Sequence, residues 1–171
     1  MAKHMRLRSV IAAAACALVL ASCGEESPKG PYVAFAGGGF IFNYNIAEAY
    51  YGFVVKVLRK IPPGTILEAE FEDPNGGDPF IVTDTAREGQ IEYTFRSPGV
   101  EGVTTGREYR VELRLRPADG DQPIASYVKI FRSSADQAMM PKVPTTVGPG
   151  YQLNPESELL NPPPGKAGSS N

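Results

Sequence analysis

Histidine, cysteine and tryptophan are nearly missing from this chain: 171 residues contain one histidine, His4, two cysteines, Cys16 and Cys23, and no tryptophan. The histidine and both cysteines fall within the first 23 positions. From Gly24 onward the chain therefore has no Ser-His-Asp triad, no Cys-His pair, no disulfide and no zinc site of imidazole or thiolate ligands. The lack of tryptophan removes the flat platform on which carbohydrate enzymes stack sugar rings. Cationic charge is not in excess either, with 17 Lys+Arg against 19 Asp+Glu. Nucleic acid rewards clustered Lys and Arg, so no nucleic-acid partner is expected. No cofactor is expected.

Long apolar runs are scarce as well. The one present, Val10 to Ala21, follows a positive segment with Lys3, Arg6 and Arg8. Its twelve residues, at ~1.5 Å each, would span roughly 18 Å as a helix, too little for the ~30 Å hydrocarbon layer. A charged start, a short apolar core and small residues at its end describe a secretory signal peptide over 1–22. If it is removed, 14 basic residues face 19 acidic ones, a balance of −5.

The run ends in Leu20-Ala21-Ser22-Cys23. This resembles the lipobox of bacterial lipoproteins, in which an aliphatic residue, two small residues and a cysteine precede cleavage. The resemblance implies that Cys23 is acylated, with palmitate-type chains, and becomes the N-terminus. It implies two or three acyl chains on that cysteine, enough to make attachment to the membrane effectively permanent where one chain would not. The alternative is an ordinary signal peptide with Cys23 left as a free thiol. Gly24, and not aspartate, follows the cysteine. In a Gram-negative host that is compatible with the outer membrane, facing the periplasm.

Three zones follow. Residues 23–31 form a short polar tether that reaches roughly 30 Å when extended. Residues 32–132 carry nearly all the aromatic and β-branched side chains and have the size of one sandwich domain. Residues 133–171 hold seven prolines and four glycines in 39 positions, a composition that predicts a mostly disordered tail. Met139, Met140, Val143, Tyr151, Leu153, Leu159 and Leu160 could still dock on the sandwich or on a partner.

Period-2 alternation marks strands in the middle zone. Leu67, Ala69 and Phe71 alternate with Glu68, Glu70 and Glu72; Ile91, Tyr93 and Phe95 alternate with Glu92, Thr94 and Arg96; Tyr109, Val111, Leu113 and Leu115 alternate with Arg110, Glu112, Arg114 and Arg116. Segments 80–85 and 124–132 complete the later strands, and 40–44 is the expected first strand. Residues 49–59 read as a strand, with room for one helical turn at Ala47 before it. The runs 73–78 and 118–123 have hairpin-turn chemistry. Seven strands without a long helix predict an all-β fold, a single antiparallel sandwich. The stretch Gly106 to Leu113 resembles the entry to strand F of fibronectin type III and related immunoglobulin-like domains, on Gly106 and Tyr109. The resemblance implies that the Tyr109 hydroxyl bonds back to the preceding corner. A transthyretin-like sandwich or an open barrel would give much the same pattern.

Candidate chemistry is thin. Asp73, Asn75 and Asp78 could offer oxygens to calcium but lack the alternation and final glutamate of an EF-hand, and hairpin turns explain them and Asp119 and Asp121. Gly37-Gly38-Gly39 has no following Gly-Lys-Ser/Thr and reads as a lead-in or β-bulge, not a phosphate loop. Glu68, Glu70 and Glu72, ~7 Å apart along a strand, have a spacing some glycosidases use. With no tryptophan platform beside them, they read as a solvated sheet face paired across strands with Arg110, Arg114, Arg116 and Lys129, a surface ladder and not a catalytic constellation. No catalytic or metal residue is assigned. The expected function is a lipid-anchored, non-enzymatic binding module of the cell envelope, with a structural accessory subunit of a secretion or envelope-assembly complex as the alternative. Envelope proteins would be met through a sheet edge or the tail.

Overall fold

The computed structural model describes residues 30–157. The signal segment, Cys23, most of the tether and residues 158–171, with Leu159 and Leu160, lie outside the described residues. Seven strands follow one another: β1 Val33–Asn43, β2 Glu48–Val57, β3 Ile66–Phe71, β4 Phe80–Thr85, β5 Glu92–Arg96, β6 Glu108–Arg116 and β7 Ala125–Arg132. A short pair, β8 Thr146–Val147 and β9 Gln152–Leu153, comes last. Among the described residues there is no α-helix.

The strands make two antiparallel sheets, ordered β1-β2-β5 and β4-β3-β6-β7. This is an antiparallel β-sandwich in which β4 joins the sheet of β3, β6 and β7. Alternation is the cause. Along β2, Ala49, Tyr51, Phe53 and Val55 are buried while their neighbours are not, and along β6 Tyr109, Val111, Leu113 and Leu115 do the same. The two inner faces meet in an aromatic core. Tyr51 stacks on Phe40 at 4.6 Å and meets the edge of Phe71 at 5.2 Å, and Phe53 packs on Phe95 at 5.3 Å, ring geometries that add to area burial.

Several expectations need correction. The first strand begins at Val33, not at residue 40. A bulge between Phe35 and Gly37 shifts the register, so Val33 and Phe35 oppose inward Val57 and Val55, whereas Phe40 and Phe42 oppose inward Tyr51 and Ala49. The inward set passes from odd to even positions, which hides the strand from a period-2 reading. Ala47 is not in a helical turn; it sits at φ +52 in the reversal between β1 and β2. Ile91 precedes β5 and is 78% exposed, so it does not share the inner face of Tyr93 and Phe95.

The tail is the largest correction. Residues 133–157 are built onto the sandwich, through a 3-10 turn at Gln137–Met139 and the β8–β9 pair. The Gln137 side chain accepts from the Val103 amide at 3.2 Å and donates to the Val100 carbonyl at 2.8 Å. Asp136 accepts from the Thr105 amide at 2.8 Å. Met140 packs against the core, and the Thr145 amide donates to the Tyr44 carbonyl at 3.3 Å. The loop 100–105 has backbone groups with few ladder partners, and this segment satisfies them. Composition counts what a segment can bury by itself, not what a neighbouring loop leaves unpaired.

Candidate functional site

The outer face of the three-stranded sheet carries a groove made by missing side chains. Register places Ile41 opposite Tyr50, Gly39 opposite Gly52 and Arg96, and Gly37 opposite Val54 and Thr94. The middle row thus has one side chain, Arg96, across three strands. The resulting groove of about 480 Å3 is bordered by Ile41, Tyr50, Val54, Thr94 and Arg96. Its floor is strand backbone.

The glycines that make it divide into two kinds. A Cβ on Gly52 would lie 2.5 Å from the Phe95 carbonyl oxygen, and one on Gly38, at φ +148, would lie 2.4 Å from the Gly52 oxygen. Close approach of the strands requires both. Gly37 and Gly39 have no positive φ, and a Cβ on either would meet nothing within 4 Å. Packing does not explain them. Glycine in a strand costs roughly 0.5–1 kcal/mol relative to alanine, and where it is not needed for folding it often marks the close approach of another chain or a ligand.

One wall of the groove is polar. The Arg96 guanidinium carbon stands 4.1 Å from the Tyr50 ring centroid, a cation–π arrangement that fixes the planar group. Among the described residues Arg96 joins no ion pair, so its donors face the groove without a carboxylate. Ile41, half exposed, forms the opposite lip.

The four-stranded sheet presents a different outer face, a closed charge ladder. Arg114 reaches Glu70 at 2.7 Å, Glu112 at 3.0 Å and Glu68 at 3.4 Å, and Arg116 reaches Glu68 at 2.5 Å. Glu72 accepts from Arg107 at 2.8 Å and from the Arg110 amide at 2.9 Å. Hydrogen bonds from Ser126, then Arg114 and Arg110, hold the Glu112 carboxyl at about 2, well below the usual carboxylate range, and Glu112 and Glu70 raise the Arg114 guanidinium above its ordinary value. The glutamates with glycosidase-like spacing are thus all committed to arginines. Lys129 is not among those partners: it opposes Val111, on the other face of β6 and β7.

The turn carboxylate of Asp73 is committed too. Asp73 accepts from the amides of Asn75 at 2.9 Å and Gly77 at 3.1 Å, which closes the β3–β4 turn. Among the described residues no three His, Cys, Asp or Glu side chains gather as a metal site. Burial, reinforced by Glu72 and Asp73, raises the Tyr51 phenol above its ordinary value; it donates to the Glu72 carbonyl inside the core and faces no cleft.

At the end of the sandwich away from Tyr32, exposed apolar side chains gather. Tyr44 and Ile46 lie in the β1–β2 turn, and Val147, Tyr151 and Leu153 lie on the β8–β9 hairpin bonded to that turn. The groove and this end were not read from the sequence. Gly52 within an otherwise β-branched and aromatic run was the available signal, but it becomes informative only once the register sets it opposite Gly39. No protein-family model matches the chain, and neither does any curated protein or solved structure.

Proposed function

We propose that this chain is a lipid-anchored, non-enzymatic binding module of the cell envelope, held through Cys23 and engaging its partner through the groove over Gly39 and Gly52. The observation that carries the reading is Gly39, kept bare where packing does not ask for it, in the row of Gly52 and of Arg96, which joins no ion pair among the described residues. The Leu20-Ala21-Ser22-Cys23 motif supports the anchor.

Groove variants test it. Protein purified from its own membrane with Gly39→Val, which fills the floor, or with Ile41→Lys, which makes the lip polar, should lose the co-purifying partner by at least about 10-fold while still folding and melting cooperatively. Undiminished recovery with both folded variants contradicts the reading.

A second reading, a structural subunit of an envelope-assembly complex, is favoured by the exposed apolar end of Tyr44, Ile46, Val147, Tyr151 and Leu153. A stoichiometric complex broken by Tyr151→Ser and Leu153→Ser together, and not by Gly39→Val, would select it.

A further inference from the structure

We propose that β5 is the edge through which two copies of this chain join, antiparallel about a two-fold axis at Thr94, so that the three-stranded sheets of the two copies become one continuous sheet. The inference does not depend on the groove reading, although Arg96 takes part in both.

The first argument is the free edge. Antiparallel strands bond through alternate residues. The Val57 amide donates to the Ile91 carbonyl at 2.9 Å and the Ser97 amide to the Tyr51 carbonyl at 2.9 Å, so in the register of β2 and β5 it is the odd positions of β5 that bond to β2. The amides and carbonyls of Glu92, Thr94 and Arg96 therefore point away from the sheet. Among the described residues only the Glu92 carbonyl has a partner there, the exposed Gln90 side chain, which donates to it at 2.7 Å. A flexible side chain is a cap that a second strand can displace.

The second argument is the contrast with the other edges, β1, β4 and β7. Unpaired edges invite pairing and are commonly blunted by bulges or by charges on the inward side. β1 carries its bulge between Phe35 and Gly37, β4 sets Asp84 opposite inward Leu67, and β7 sets Lys129 opposite inward Val111. β5 has neither device: its register with β2 is unbroken from Glu92 to Arg96, and its inward residues are Tyr93 and Phe95.

The third argument is charge. Two copies of Glu92-Tyr93-Thr94-Phe95-Arg96, laid antiparallel about Thr94, set Glu92 of each against Arg96 of the other. Both residues are exposed on the outer face, and among the described residues neither joins an ion pair. Opposite charges directly across a strand pair are favourable and like charges are not. In-register parallel pairing would instead set Glu92 against Glu92 and Arg96 against Arg96. The outward groups at 92, 94 and 96 would make about six hydrogen bonds across the axis. Continued one step, the register sets Ile91, 78% exposed, opposite Ser97 of the second copy. An edge of five residues makes a small, exchangeable contact.

The test traps the pair in membranes of the cells that make the protein. The full-length chain with Thr94→Cys, oxidised there with copper phenanthroline, should give a disulfide-linked dimer, because Cα atoms across such a pair stand ~5.5 Å apart, within disulfide range. The wild-type chain, which keeps Cys23, sets the background. Val128→Cys on the β7 edge, and Val54→Cys one strand inward from β5, should give at least about 5-fold less dimer, since neither position meets its own copy at that distance. In the Thr94→Cys chain, Glu92→Arg and Arg96→Glu should each lower the yield at least about 5-fold by setting like charges across both ends of the pair. Co-expression of these two variants should restore it, because the unlike copies are complementary at both ends. No dimer from Thr94→Cys above background, or equal dimer from Val128→Cys, overturns the proposal. A yield that ignores the charge changes, or that co-expression leaves low, overturns it as well.

Discussion

The hydroxyl of Tyr109 accepts a hydrogen bond of 2.7 Å from the Thr104 amide, and its ring is fully buried between the two sheets. One side chain thereby closes the corner before β6 and fills the core below it, which fixes where β6 enters the sheet. Tyr109→Ala should cost roughly 3–5 kcal/mol, the range for emptying a large aromatic site. Tyr109→Phe should cost about 1–3 kcal/mol by leaving a backbone donor unpaired. Arg110→Ala, on the outer face, should cost under about 0.5 kcal/mol. Urea midpoints of the three variants check the order.

The groove glycines should respond in opposite directions to one methyl group. Gly38→Ala should destabilise by several kcal/mol, since its Cβ would lie 2.4 Å from the Gly52 oxygen at φ +148. Gly39→Ala meets open space and should stabilise by roughly 0.5–1 kcal/mol. Thermal melts of both variants against wild type decide whether Gly39 is spared for packing or for something else.

Acid stability should carry the mark of Glu112. Its carboxyl is held at about 2 in the fold, below the unfolded value near ~4.3. Stability from this group is therefore fully present above about pH 4.3 and falls as pH drops toward about 2, because the unfolded chain takes up the proton first. Glu112→Gln should lower stability at neutral pH and flatten that part of the curve. Urea denaturation between about pH 2 and 6 measures it.

The docked tail gives a further outcome. Gln137→Ala removes the bonds to the Val103 amide and the Val100 carbonyl, and should cost about 1–3 kcal/mol. Amide exchange at Val103 and Thr105 should accelerate in the variant. No change at either position would mean that the loop orders itself.

Much of the sandwich was legible from alternation. The inward sets of β3 and β6 were read residue for residue, because a buried strand face must be apolar at every second position, and the Tyr109 corner followed from a local resemblance. Other features were not legible, for identifiable reasons. The bulge in β1 reversed the phase of its inward set. Ile91 continued the alternation of β5 one step beyond its last inward partner, into solvent. The tail borrowed hydrogen bonds from a loop whose needs are visible only after folding. The groove depends on Gly39 facing Gly52, a relation set by pairing between strands and not by either segment alone. The proposed anchor is the opposite case: it rests entirely on the motif Leu20 to Cys23.

That anchor is where the account is tested most directly. Intact mass and N-terminal peptide mass spectrometry of the protein extracted from its native membrane should find a chain beginning at Cys23, heavier than residues 23–171 by two or three acyl chains. The Cys23→Ser variant should leave the membrane fraction. A mature chain that begins elsewhere, or a Cys23 carrying a free thiol, would contradict the lipid-anchored reading.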